Sequence, residues 1–135
     1  MATSIFINLP VKDLDASMAF FAKLGFTFNA QFTSEAAASM VISETIYAML
    51  LTHEHFKGFT PKRIADATES TEVLLALSRD SREEVDLMAD AALTAGATAT
   101  RPPEDHGFMY TRAINDLDGH VWEIFWMDPA TVNQA

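Results

Sequence analysis

The sequence predicts an α+β fold assembled from two βαβββ modules, and three observations lead there. Apolar periodicity runs strand, helix, strand, strand, strand, and then repeats that order. The helix borders recur: Val11-Lys12-Asp13 is answered by Ser78-Arg79-Asp80, and Leu24-Gly25-Phe26 by Ala95-Gly96-Ala97. Before the last strand of each half, Ser43-Glu44-Thr45-Ile46 is answered by Asp118-Gly119-His120-Val121. A repeat on this scale decides architecture before any single motif does. Each half is a sheet with a helix on one face, so its other face must be covered or must line a cavity.

In the first half, Ile5-Phe6-Ile7-Asn8-Leu9-Pro10-Val11 reads as a strand whose proline puts it at an edge or a boundary. Asp13 is a natural N-cap for a helix over residues 14–24, with Leu14, Met18, Phe21 and Leu24 inward and Gly25 as its stop. Residues 26–32 alternate as a strand, residues 38–43 form a weaker one, and residues 46–52 a stronger one after the Ser43-Glu44 turn. Residues 53–71 are polar and connect the halves, and Thr60-Pro61 predicts a short helix through Ala67.

In the second half, residues 72–77 form a strand and Ser81-Arg82-Glu83-Glu84 is a capping-box pattern. Val85, Met88 and Ala92 give the following helix its apolar stripe, and Gly96 ends it. Residues 97–101 read as a strand broken by Pro102-Pro103, and residues 107–115 as another. Asp118-Gly119 is a two-residue hairpin signal, because glycine tolerates the positive φ such turns need. The β-branched and aromatic run 120–127 reads as the final strand.

With 135 residues, the chain is read as one domain: module one over about 4–52, a connecting segment over 53–71 and module two over about 72–128. The net charge of −10, from 9 basic and 19 acidic residues, argues against nucleic acid and anionic membranes as partners. No apolar run reaches the ~20 residues of a membrane span. The absence of cysteine excludes a disulfide framework and thiolate zinc sites, and no basic n-region marks a secretory signal; both fit a cytoplasmic protein.

Glu123 is the candidate centre of chemistry. It shares a strand face with Val121, Phe125 and Met127, while His120, Trp122, Ile124 and Trp126 share the other. A carboxylate among large apolar groups must be paired, protonated or coordinated. It is therefore either a general base or ligand-orienting group, or a carboxylate satisfied by a neighbour such as Asn8 or Arg112. Tyr110 and Arg112 share a strand face and, with His106, are candidates to bind a carboxylate or phenolic ligand. Phe6, Phe28, Phe32, Met49 and Phe108 are candidates for an apolar wall or for ordinary core. His53 and His55 would lie on one side of a continued strand and make a two-ligand zinc hypothesis. No phosphate loop, dinucleotide fingerprint or nucleophile elbow is present.

The opening Asn8-Leu9-Pro10-Val11-Lys12-Asp13-Leu14, with Phe20-Phe21 and Leu24-Gly25-Phe26, resembles the vicinal oxygen chelate superfamily. So does the closing Asp116-Leu117-Asp118-Gly119-His120-Val121-Trp122-Glu123. That superfamily includes glyoxalase I, bleomycin-resistance proteins and extradiol dioxygenases, and the resemblance spans about residues 4–128. It implies a curved mixed sheet around a cup-like pocket and a homodimer. It also implies, in metal-dependent members, four ligands from the first and last strands of each module. Carried over, those positions are Asn8, Ala48, Leu75 and Glu123 (or Leu50 for Ala48 in a register shifted by two). Leucine and alanine donate nothing to a metal, and an asparagine carbonyl is a weak donor, so no metal is expected there.

The expected function is thus a glyoxalase/bleomycin-resistance-like protein that binds a small organic molecule in an apolar cup without a metal or other cofactor. One alternative is a lactoylglutathione-lyase-like isomerase or lyase, in which a divalent Zn, Ni, Fe or Mn stabilises an enediolate while Glu123 moves the proton. Another is a vestigial pocket on a dimerising module.

Overall fold

A computed structural model describes residues 2–132 and separates into two compact units that divide between Ala65 and Asp66. The first unit holds β1 (Ile5–Val11), α1 (Leu14–Lys23), β2 (Thr27–Phe28), β3 (Ala37–Val41), β4 (Ile46–Thr52) and α2 (His53–Phe56). The second holds β5 (Leu74–Ser78), α3 (Arg82–Thr94), β6 (Thr98–Asp105), β7 (Met109–Asn115), β8 (Val121–Met127) and α4 (Pro129–Val132). Each unit contains one βαβββ module, as the repeat predicts. Its four-stranded sheet is open and mixed, ordered β1-β4-β3-β2 in one and β5-β8-β7-β6 in the other. In both, the first strand runs parallel to the last and the remaining pairs are antiparallel.

The helices start where their caps dictate. Asp13 accepts from the Ala16 N–H at 3.1 Å and opens α1, whose buried face is Leu14, Ser17, Phe20 and Phe21. Met18, expected on that face, is only half-buried. Ser81 accepts from the Glu84 N–H at 3.1 Å and opens α3, but the returning Glu84 carboxylate takes the N–H of Asp80. The capping box is therefore displaced by one residue. Val85, Met88, Ala89 and Ala92 bury the inner face of α3.

Three predicted elements differ. The strand expected over 26–32 stops after Phe28, because the Asn29 side chain accepts from the Gln31 N–H and starts a 3-10 turn at Ala30–Phe32. No helix follows Pro61. Thr60 accepts from the Lys62 N–H, and Asp66 captures both the N–H and the hydroxyl of Thr68, which competes with helical bonding. A short helix forms earlier instead, where Thr52 caps His53–Phe56. Finally, β6 does not break at Pro102-Pro103 but runs through them to Asp105. It lies at the edge of its sheet, where a missing N–H is tolerated, and its register shifts on either side of Arg101.

Candidate functional site

In the second unit the two faces of the sheet are chemically distinct. Tyr110 and Arg112 point at α3: the Tyr110 hydroxyl donates to Asp86 at 2.7 Å, and Arg112 donates to Asp86 at 3.0 Å and Asp90 at 2.8 Å. Their strand partners Trp126 and Ile124 share that side, as do Trp122 and its partner Leu75. Arg82 of α3 lies over the rings of Tyr110 and Trp126, 5.3 and 5.1 Å from their centroids, and forks onto Asp105 at 2.7 and 2.9 Å. Arg82 and the Gly107 N–H hold the Asp105 carboxyl down at about 2. The Tyr110 bond lowers the pKa of Asp86 and raises that of Tyr110 itself.

The opposite face carries Glu123. Strand register lines up Arg101, Ala113, Glu123 and Ala76 in one row across the sheet. Arg101 Nη2 donates to Glu123 Oε2 at 2.5 Å, and Arg101 Nε donates to Glu104 Oε1. Glu104 Oε2 in turn lies 3.5 Å from His106 Nε2. Among its ionisable side chains Glu123 is the least exposed, with 19% of its side chain accessible. The bond to Glu104, then that to Glu123, pushes the pKa of Arg101 above its ordinary value, while Arg101 holds Glu104 below its own.

This row depends on the irregularity of β6. Residues three apart on a regular strand point to opposite faces. Here Arg101 pairs with Ala113 and Glu104 with Thr111, two residues apart on β7, so the bulge at Pro102-Pro103 returns both side chains to one face.

Several expected site residues lie elsewhere. Tyr110 and Arg112 do share a face, but it is the α3 face, so the partner of Glu123 is Arg101 and not Arg112. Leu75 likewise sits on the α3 side, and Ala76 is the β5 residue in line with Glu123. In the first unit, Ala48 is fully buried among Leu9, Met40 and Leu50, whereas Asn8 is exposed and in register with Met49. A residue on the Asn8 face of β4 is therefore Met49, not Ala48 or Leu50. The Asn8 amide donates to the Phe6 carbonyl at 3.3 Å, and the exposed Phe6 ring stacks on Tyr47 at 4.7 Å. His106 and exposed Phe108 are near neighbours, with ring centroids 6.3 Å apart. Phe32 is exposed and Phe28 half-buried. His53 and His55 lie on α2, where the i, i+2 spacing separates them around the helix instead of aligning them on a strand.

Sequence reasoning missed Arg101, Glu104 and Asp116. Asp116 is the true organiser of the closing turn: it accepts from the N–H groups of Asp118 and His120 at 2.9 and 3.0 Å and from Trp122 Nε1 at 2.9 Å. Burial raises its pKa. Asp at the head of an Asp-x-Asp-Gly turn was the available signal.

A divalent metal fits poorly at Glu123 within its sheet. Its row neighbours are two methyl groups and a guanidinium already bonded to the carboxylate, and neither supplies a donor pair. Among the described residues no three His, Asp or Glu side chains gather closely enough to hold an ion.

A sequence model of the Glyoxalase/Bleomycin resistance protein/Dioxygenase superfamily matches residues 5–124. The chain belongs to that superfamily. No curated protein matches it. Solved structures do: a hypothetical protein from S. aureus is 28% identical, with TM-score 0.78 over 93% of this chain and 95% of that one. A glyoxalase/bleomycin resistance protein/dioxygenase family enzyme from Burkholderia phytofirmans is 21% identical, with TM-score 0.79 over 93% of this chain and 99% of that one. A fosfomycin resistance protein from Mesorhizobium loti is 16% identical, with TM-score 0.69 over 99% of this chain and 98% of that one. At such identities the last two share the fold. Among the described residues no helix is long and apolar enough to cross a membrane.

Proposed function

We propose that this superfamily member binds a small organic molecule in an apolar cup on the Glu123 face of its second module, without a divalent metal at that carboxylate. The observation that carries this reading is the 2.5 Å pair between Arg101 and Glu123, set between Ala76 and Ala113 on the sheet face away from α3. Methyl groups and the half-buried Phe125 offer an apolar floor, and the ion pair offers a few oriented polar contacts. That mixture is the usual make-up of a small-molecule site.

The test is a thermal-shift screen against a panel of metabolites and antibiotics, with and without EDTA. A ligand that binds the native state raises the melting temperature in proportion to its saturation. We expect hits that survive the chelator and weaken in Glu123→Gln. Hits that vanish with EDTA, or no hits at all, would overturn the proposal.

We also infer a homodimer. The edge strands β1 and β5 carry exposed Phe6 and Leu74, apolar groups that a second copy can cover. Light scattering on the purified protein is expected to give twice the chain mass, and Phe6→Glu with Leu74→Glu to give the monomer.

A further inference from the structure

We propose that Arg101 is the resident cation of the Glu123 site: its guanidinium occupies the carboxylate that would otherwise coordinate a divalent metal, and so sets the site against metal. Three observations converge. Nη2 bonds Glu123 Oε2 at 2.5 Å, while Nε of the same guanidinium bonds Glu104, so one fixed positive charge is shared by two carboxylates. Glu104 Oε2 also lies 3.5 Å from His106 Nε2, so both carboxylates at this face are already engaged by cationic or imidazole nitrogens. And the bulge at Pro102-Pro103 serves to bring Arg101 and Glu104 to the Glu123 face.

A metal ion approaching Glu123 meets a like charge on the same carboxylate and must displace a guanidinium held by two charge-assisted bonds. Unlike an ion, arginine cannot be deprotonated or lost to a chelator in this setting. The positive charge at this face is therefore permanent. The inference rests on the metal-free part of the proposed function and names its cause; the Arg101→His arm below tests that cause alone, whereas the panel reads organic-ligand binding.

The experiment titrates Ni²⁺ and Mn²⁺ into the 135-residue chain by calorimetry, with native mass spectrometry for stoichiometry. Four proteins are compared: wild type, Arg101→Lys, Arg101→His, and Arg101→His combined with Glu123→Gln. Arg101→His exchanges the guanidinium for an imidazole on the same sheet face as the two carboxylates. We expect no 1:1 binding in wild type or Arg101→Lys. In Arg101→His we expect Ni²⁺ to bind 1:1 at least about tenfold tighter than to wild type, and the added Glu123→Gln to abolish it. Stoichiometric metal in wild type that Glu123→Gln removes would overturn the proposal, and this needs no Arg101 variant to fold. So would an Arg101→His protein, shown folded by its melting transition, that binds Ni²⁺ no better than wild type.

Discussion

The two modules share one topology and diverge in what they put on it. In the first, the helix packs on its sheet through apolar contact: Leu14, Phe20 and Phe21 are buried with Val11, Met40 and Leu50. Its other face presents neutral groups, Asn8, Met49 and the Phe6–Tyr47 stack. In the second, the helix face carries Arg112 and Tyr110 bonded to Asp86 and Asp90, and the other face carries the Arg101–Glu123–Glu104 row. Duplication of a βαβββ unit thus repeats the backbone pattern without repeating the chemistry, which lives in side chains grafted onto it. The turns differ in the same sense. The turn before β8 is organised by buried Asp116 and closed by Gly119, whereas the corresponding turn before β4 rests on the exposed Ser43.

That contrast breaks most readily at Gly119. Its φ is +91°, and a Cβ there would come within 2.7 Å of the Ala67 carbonyl and the Thr68 nitrogen. Gly119→Ala is expected to destabilise by about 2–5 kcal/mol, from left-handed strain plus backbone overlap. Ser43→Ala should stay within about 0.5 kcal/mol. Urea unfolding of both variants decides it; equal losses would mean the turns are equivalent after all.

The next effect concerns the faces that bind. With a ligand from the thermal-shift panel, Glu123→Gln should weaken binding at least about tenfold, or about 1.4 kcal/mol, whereas Asn8→Ala should change it far less. If the Asn8 variant loses as much affinity by calorimetry, the charged row is not what distinguishes the second module.

On the helix faces, Asp86→Ala leaves Tyr110 without that partner and removes one of two Arg112 bonds. Because Asp86 is about half exposed (46%), solvent screening limits the loss to about 1 kcal/mol. That loss should shrink in high salt, and an apolar substitution in the first helix, such as Leu14→Ala, should show no salt dependence.

The smallest effect is on acid stability. Asp105 is held at about 2 against an ordinary 3.8, so its contribution is present above about pH 3.8 and is lost as pH falls through about 2. Carboxyl ¹³C NMR should show Asp105 titrating below most other aspartates, and Arg82→Lys should return it toward the ordinary value.

Much of this was readable from residues alone. The repeat, the caps at Asp13 and Ser81, the stops at Gly25 and Gly96, and the alternation along β8 all follow from local periodicity and turn chemistry. Those same rules identified Glu123 as a carboxylate needing a partner. They could not identify the partner. Arg101 stands 22 residues before Glu123 and looked like the last residue of a strand broken by two prolines. Only strand pairing shows that β6 continues, that its bulge realigns Arg101 with Glu104, and that Tyr110 and Arg112 turn toward α3 instead.

The sequence by itself determined the order of elements and the alternation of faces, because both arise from interactions within a few residues of one another. Which face each functional side chain occupies, and what meets Glu123 there, was decided by tertiary structure. A one-residue shift of register, or one bulge at a proline pair, moves a side chain across the sheet, and such shifts are set by partners distant in the chain.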